Sequence, residues 1–266
     1  MCLCDRSRVR LIPLALLLSC SLCITACSLL ARHGCVRLPT AEATSIVGGL
    51  VSDHENVTTL RSFARLMLIS KGHAYRASVA VLLERPDRFR IEFLGPFKHP
   101  RHIVAFDGKL FSEIGKNNEI RLQDAHASGA TLSFLGLTPE WVVAAVLGLP
   151  PISRDSILVE QAFHEGKNEV RIELKDETAK MTLWVKLRGG QADVERFTLV
   201  SGDGQQPVVE GFYSDFQNVI GQDEMRCRLP RIVVLRAPGR RQSLRMTFSG
   251  PDVNAKLDPA SFRIGP

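Results

Sequence analysis

The chain has 266 residues, of which 45% are hydrophobic and 23% charged, and its formal net charge is +6. This suits one large domain, because all-β barrels of about 200 to 250 residues are common. Without residues 1–26 the charge falls to about +4, and no basic run is longer than Arg240-Arg241, which excludes a nucleic-acid-binding stripe.

The first 26 residues form a targeting segment. Three arginines precede the uncharged, leucine-rich stretch Leu11–Ala26, the arrangement of a secretory signal. An uncleaved anchor is the alternative, since Leu11 to Leu30 carries no charge and is long enough to span a bilayer. We therefore divide the chain into a signal (1–26), a tether (27–39) and a domain (40–266).

Cysteine placement argues against a disulfide framework. Six of the seven cysteines lie within the first 35 residues, and Cys227 is the other one. A disulfide scaffold or a zinc site needs paired cysteines in the folded part. A single bridge between Cys35 and Cys227 stays open.

The end of the signal, I-T-A-C over Ile24 to Cys27, resembles the bacterial lipobox. That resemblance implies cleavage before Cys27 and acylation of this cysteine. Acyl chains contribute about 0.8 kcal/mol for each buried CH₂, so several chains make a durable anchor. Ser28 would be the second mature residue, and by resemblance to other lipoproteins this favours the outer membrane over the inner one.

The domain begins with a helix that Thr40 is predicted to cap and that ends near Asp53. From Leu60 onward, apolar and polar residues alternate in short runs separated by turn residues, which indicates an antiparallel meander. The clearest run is Asp87–Phe97, D-R-F-R-I-E-F-L-G-P-F, where a strand breaks at Gly95-Pro96 and Phe97 follows the turn. Phe97 either folds back onto the sheet or acts as an apolar tip.

One helix interrupts the strands. Thr138 is the predicted N-cap, with Pro139 and Glu140 in the first turn. The helix continues from Trp141 to Leu147 and is apolar nearly all round, so it is expected to be buried or to plug an opening. About eleven strands and this helix predict a mainly β (α+β) fold, an incomplete antiparallel barrel whose open side the helix covers.

Catalytic motifs are missing from the folded part of the sequence. It has no Walker loop, G-x-S-x-G, H-E-x-x-H or C-x-x-C motif. His164-Glu165 lacks the second histidine of a zinc helix, and its neighbours look turn-like. We predict neither enzymatic activity, nor a metal, nor a cofactor.

Two segments resemble the family of the lipoprotein receptor LolB and the carrier LolA. They are R-P-D-R-F-R-I-E-F leading into G-P-F, and L-G-L-T-P-E-W-V-V-A-A-V-L-G-L-P. The resemblance covers about residues 40–250 and implies an incomplete barrel with an apolar cavity for acyl chains. Gly95 and Lys98 replace the Asn and Gly of the receptor loop, and the tail Leu257–Ile264 looks more like the carrier.

The resemblance also implies roles for individual residues. Phe97, with Leu94 beside it, would form the loop that places cargo in the membrane. The cavity would be lined by Val79, Val81, Phe89, Ile91, Phe93 and Trp141, although these residues could equally form a filled core.

The implied partners are acyl chains of lipoproteins or lipids, a soluble periplasmic lipoprotein carrier, and the outer-membrane bilayer reached through the N-terminal anchor. The protein is predicted to be a monomer that faces the periplasm and receives and inserts lipoproteins. The alternatives are a lipid-binding or structural envelope lipoprotein without transfer, and a membrane-anchored hydrolase, against which the missing nucleophile motif argues.

Overall fold

The computed structural model describes residues 36–114, 120–124, 135–150, 152, 158–175, 179–201, 207–222 and 224–264. All of them except Val36 belong to one compact unit, Arg37–Pro266. The signal segment, Cys27 and Cys35 lie outside the described residues, so the signal, the lipidation and the Cys35–Cys227 bridge stay predictions.

Within the described residues, fourteen strands form a single sheet in the order β1-β8-β9-β10-β11-β12-β13-β14-β2-β3-β4-β5-β6-β7, and the registered pairs are antiparallel. The order confirms a mainly antiparallel sheet that is not closed. The strands are β1 (Val36–Arg37), β2 (Thr59–Ser70), β3 (His73–Glu84), β4 (Arg88–Leu94), β5 (Pro100–Phe106), β6 (Leu110–Ile114), β7 (Ile120–Asp124), β8 (Leu158–Gly166), β9 (Glu169–Lys175), β10 (Ala179–Arg188), β11 (Gln191–Ser201), β12 (Val209–Ile220), β13 (Arg226–Ala237) and β14 (Gln242–Val253).

The predicted number of strands, about eleven, is too low because the sequence pattern did not reveal β1, β7 and β8. β1 has only two residues. β8 pairs with β9 through two register shifts, which disrupt the period-two alternation that identifies a strand. The expectation of turn-like residues around His164-Glu165 is also wrong, because both residues lie in β8.

The two faces of the sheet differ in composition. The inner face carries one hydrophobic cluster, to which alternate residues of each long strand contribute, such as Leu60, Ala64 and Leu66 of β2. The intervening residues of β2, among them Phe63 and Arg65, are exposed on the outer face. Alternation of this kind is expected where one face of a sheet is buried and the other is hydrated.

Helix α1 (Thr40–Glu55) packs against β8 and β11. It ends two residues later than predicted, and Thr40 is not its cap. Pro39 occupies the N-cap position without a side-chain hydrogen bond, and Thr40 is the first helical residue. The proline side chain has no oxygen atom, so it cannot accept a hydrogen bond from the backbone N–H groups of the first turn.

Helix α2 (Pro139–Val146) begins as predicted. The Thr138 hydroxyl accepts a hydrogen bond from the backbone N–H of Trp141, with a donor–acceptor distance of 3.4 Å. Residues Val142 to Val146 are all buried, and the helix packs against β4. The structure thus confirms a buried apolar helix on the inner face.

One end of the sheet, which we call the tip end, carries the turn after β4. Lys71-Gly72 joins β2 to β3 at this end, and a 3-10 turn at Pro238–Arg240 joins β13 to β14. Leu94, the last residue of β4, pairs with Ser78, whereas β3 begins at His73. The β2–β3 hairpin therefore continues five residues, about 17 Å, past the end of β4.

Candidate functional site

The Phe97 side chain projects from a tight turn at the tip end. Pro96–Lys98 forms a single 3-10 turn in which Phe97 has φ 65° and ψ 18°. The turn is closed by two backbone hydrogen bonds, from Gly95 N–H to His99 O (2.9 Å) and from Lys98 N–H to Gly95 O (3.1 Å). Phe97 is 92% exposed. The aromatic ring therefore does not fold back onto the sheet.

Gly95 and Lys98, where the sequence departs from the receptor loop, each lie close to another side chain. A Cβ atom at Gly95 would lie 2.4 Å from Nε of Arg101, whose side chain occupies the space that an asparagine needs. Lys98, with φ 60°, has its Nζ 5.9 Å from the centre of the Phe63 ring on the outer face. This is within the range of a cation–π contact. Lys98 thus joins the turn to the outer face.

Leu94 is half-buried at the base of this turn. It pairs with Ser78, which in turn pairs with Arg65, so the three side chains share a register row on the outer face. Phe93, the preceding residue, lies on the inner face opposite Val79. Leu94, one of the two residues predicted for the membrane loop, therefore lies on the outer face.

The six residues predicted to line a cavity all lie on the inner side of the molecule. Val79, Val81 and Phe89 are buried, and Ile91, Phe93 and Trp141 are partly buried against the same core cluster. The two cavities described below are walled by other residues. These six side chains are brought together, and their role as a lipid lining stays a prediction.

A stack of aromatic rings connects α2 to the sheet, and no sequence motif pointed to it. Phe197 of β11 is fully buried, with its ring centre 6.3 Å from that of Trp141 and 5.9 Å from that of Tyr213. It pairs with Gly211 of β12, and a Cβ atom there would lie 1.9 Å from the Phe197 ring. The signal in the sequence was the lone glycine inside a strand, which marks a close approach.

Tyr213 adds a polar atom to this apolar interior. Its hydroxyl is buried and has no hydrogen-bond partner among the described residues. Burial raises the pKa of Tyr213 well above its usual value, so the hydroxyl keeps its proton at neutral pH. The inner face thus holds one neutral hydroxyl close to α2.

A cavity of about 120 Å³ lies at the C-terminal end of α1. His54 is in its wall, with Nδ1 buried and without a partner in the described part of the chain. Burial, and secondarily the charge of Arg85, lowers the pKa of His54 to about 3. Across the cavity, buried Asp193 accepts hydrogen bonds from Nε of Arg228 at 2.8 and 3.0 Å. No sequence motif pointed to these polar groups.

Metal-ligating clusters and membrane-spanning helices are both missing from the described ranges. No group of three or more His, Cys, Asp or Glu side chains there is arranged to hold a metal ion. None of the helices in the same ranges has the length and apolarity needed to cross a membrane.

An open antiparallel sheet with an apolar helix on its inner face defines a fold of the LolA type. A LolA superfamily protein from Nitrosomonas europaea superposes with a TM-score of 0.55 at 11% identity, over 85% of this chain and 99% of that one. A DUF1329 family protein from Desulfovibrio piger gives 0.58 at 12% identity, over 85% and 97%. A domain from Vibrio parahaemolyticus, described as an outer membrane lipoprotein-sorting protein domain, gives 0.53 at 8% identity, over 84% and 97%.

No protein-family model matches the sequence, and no curated protein matches it. The similarity to solved structures is therefore a similarity of fold. It supports the LolA-like architecture that the sequence resemblance implied, without distinguishing a receptor from a carrier.

Proposed function

We propose that this protein is an outer-membrane lipoprotein that receives lipoproteins from a soluble periplasmic carrier and inserts them into the outer membrane. Its acyl-modified Cys27 would anchor it on the periplasmic side of that membrane. Cargo acyl chains would be sheltered beneath α2 by Val79, Val81, Phe89, Ile91, Phe93 and Trp141. An acyl chain of 16 carbons exposed to water costs on the order of 10 kcal/mol, which makes such a shelter necessary.

The exposed Phe97 is the observation that carries the proposal. A phenylalanine that is 92% exposed, at a turn with a left-handed backbone, contributes no burial to the fold. Transfer of such a side chain from water to an apolar phase stabilises by about 2 kcal/mol. Phe97, with Leu94 at its base, is therefore suited to enter the bilayer when cargo is released.

The proposal is tested by depleting the protein and fractionating other lipoproteins between the two membranes. We expect them to leave the outer membrane, because no route then completes their transfer. Mass spectrometry of the mature N-terminus checks the anchor, and an unmodified Cys27 would contradict it.

A substitution tests the role of the turn in cargo delivery independently of the rest of the molecule. Phe97→Glu should accept cargo from the carrier but deliver about thirtyfold less, since it loses roughly 2 kcal/mol of apolar transfer. Leu158→Glu is the matched control, because Leu158 is also an exposed apolar residue (75%), on β8. Normal delivery by Phe97→Glu removes the turn from the mechanism.

The alternative is a lipid-binding or structural envelope lipoprotein on the same fold that transfers no cargo. The buried hydroxyl of Tyr213, which has no hydrogen-bond partner among the described residues, favours a bound ligand of some kind. This alternative predicts that depletion leaves other lipoproteins in the outer membrane.

A further inference from the structure

A row composed of apolar side chains and arginines crosses the outer face. We call it the outer row. Side chains that are directly opposite in neighbouring strands lie close enough to interact. In register order from β8 to β3 the row consists of Phe163, Arg171, Trp184, Arg196, Phe212, Val234, Arg245, Met67 and Arg76.

In the half of the row on β8 to β12, the arginines are both stacked and neutralised. The guanidinium carbon of Arg171 is 4.9 Å from the centre of the Phe163 ring, and Nη1 of Arg171 is 3.3 Å from a carboxylate oxygen of Glu165. Arg196 lies 4.4 Å over Trp184 and is 3.8 Å from Glu210. This half therefore presents little net charge.

The half on β14, β2 and β3 is different. Arg245 and Arg76 flank Met67 in the row, and Arg65 is the next outer residue of β2. We call Arg65, Arg76 and Arg245 the arginine cluster. All three are exposed, and within the described residues no ion pair joins any of them to a carboxylate.

The arginine cluster surrounds an open depression of about 510 Å³. Met67, Ser78 and Thr247 provide the rest of its outer-face lining. Like charges on neighbouring strands repel one another, so a cluster without acidic partners favours binding of an anion. Guanidinium groups form bidentate hydrogen bonds with phosphate, which makes phosphate a suitable ligand.

The depression adjoins the strand that leads into the Phe97 turn. Ser78, in its wall, pairs with Leu94 at the base of the turn. Phe63, two residues before Arg65, is 53% exposed, and Lys98 lies above its ring. Exposed aromatic rings beside unneutralised cations are typical of a surface that contacts the head groups of a bilayer.

The β2–β3 hairpin determines how this surface approaches a bilayer. It extends about 17 Å beyond the end of β4, so an end-on approach brings Lys71-Gly72 to the membrane before Phe97. With the outer face lying on the bilayer, the arginine cluster reaches the head groups together with Phe63 and with Lys98 of the turn, which contacts the Phe63 ring.

We propose that the arginine cluster docks on the phosphate head groups of an anionic lipid bilayer and so holds the outer face flat against the membrane. This deepens the proposed function by naming the lipid chemistry that orients the Phe97 turn. It rests on that function only in placing the turn at a membrane, because docking requires no cargo.

The test uses the full chain reconstituted in vesicles, with arginine modification by phenylglyoxal located by mass spectrometry. Vesicles of phosphatidylglycerol mixed with phosphatidylethanolamine are compared with phosphatidylcholine vesicles. Each basic residue near an anionic surface contributes about a fivefold preference. We expect the modification rates of Arg65, Arg76 and Arg245 to fall at least about fivefold on the anionic vesicles and to recover in 0.5 M salt (an ionic strength of roughly three times physiological).

Three exposed arginines that pair with carboxylates serve as internal controls: Arg188, Arg231 and Arg263. Their modification rates should change less than twofold between the two kinds of vesicle. Equal slowing of all six arginines, or no slowing of the cluster, overturns the proposal. The second result is also the one expected if an acidic protein, rather than a bilayer, occupies this surface.

A pair of triple variants provides a second measurement. It is the rate at which an acylating reagent modifies the Lys98 side chain on the turn. Arg65→Gln, Arg76→Gln and Arg245→Gln together should abolish the protection of Lys98 by anionic vesicles. The matched triple variant at Arg188, Arg231 and Arg263 removes the same charge and should keep that protection. If the first variant does not fold, phenylglyoxal modification of the wild-type protein still tests the proposal.

The two proposals fail independently. Loss of cargo delivery in Phe97→Glu with no lipid protection of the cluster refutes docking alone. Protection of the cluster together with normal sorting after depletion refutes the receptor function alone.

Discussion

Phe97 combines two features that are costly separately. Its backbone is in the left-handed region, which costs an L-residue other than glycine about 1–2 kcal/mol, and its ring is almost fully exposed. Lys98 beside it is also left-handed, with φ 60°. Folding alone would favour glycine at these positions. Their side chains are therefore better explained by what they contact outside the molecule.

This reasoning predicts opposite effects of one substitution on stability and on function. Phe97→Gly should raise the free energy of unfolding by about 0.5–1 kcal/mol, because relief of strain outweighs the extra chain entropy of glycine. Delivery should nevertheless fall as it does in Phe97→Glu. Chemical denaturation measures the first effect, and lipoprotein fractionation the second.

Arg241→Gly is the matched control. Arg241 has φ 53° after the turn between β13 and β14, so glycine relieves similar strain there. It should stabilise the protein and leave delivery unchanged. Wild-type delivery by Phe97→Gly would show that the aromatic ring has no part in transfer.

At the level of secondary-structure elements, one glycine makes room for the aromatic ring through which β11 contacts α2. The Phe197 ring occupies the position that a Cβ atom of Gly211 would take, and it extends from β11 to Trp141 of α2. β11 and β12 pair directly at these two residues. The position of α2 on the inner face is thus coupled to a close approach between two strands.

We therefore expect Gly211→Ala to lower the free energy of unfolding by about 1–3 kcal/mol, the usual range for overpacking. The displaced Phe197 ring should also change the near-ultraviolet circular dichroism of the aromatic stack. Thermal and chemical denaturation measure the loss of stability.

Gly48→Ala provides the contrast, because Gly48 is exposed in α1 and a Cβ atom added there would meet nothing within 4 Å. Alanine is favoured over glycine in a helix by about 1 kcal/mol, so this variant should be more stable. A Gly211→Ala protein as stable as the wild type would mean that the Phe197 ring moves without cost.

At the scale of the whole molecule, stability should depend on pH through His54. Its pKa is lowered to about 3 in the folded protein, against about 6.5 in an unfolded chain. The unfolded state therefore takes up a proton below pH 6.5 while the folded state does not. The stabilisation is complete above that pH and decreases as the pH falls towards 3.

Lowering the pH from 7.5 to 5 should cost about 2 kcal/mol of folding free energy through this group. Urea denaturation at the two pH values measures the change. In His54→Gln, lowering the pH from 7.5 to 5 should cost about 2 kcal/mol less folding free energy than it does in the wild type. An identical pH dependence in both proteins would exclude His54 as the group responsible.

The sequence predicted the parts of this fold that follow local rules. Thr138 caps α2, the alternation from Phe89 to Phe93 gives β4, and the resemblance led to an open sheet of the LolA type. β8 was missed because its two register shifts disrupt the alternation. The sequence also could not predict which residues of distant strands are neighbours. The proximity of Arg65, Arg76 and Arg245 follows only from the register of three strands.

The aromatic stack and the outer row have a spectroscopic consequence. The chain contains two tryptophans, Trp141 and Trp184. Trp141 lies beside Phe197 on the inner side, and Trp184 lies beneath Arg196 on the outer face. Replacing either one by phenylalanine leaves a single tryptophan, whose fluorescence reports on one side of the sheet. Entry of an acyl chain and contact with a bilayer would then give separate fluorescence signals from the same fold.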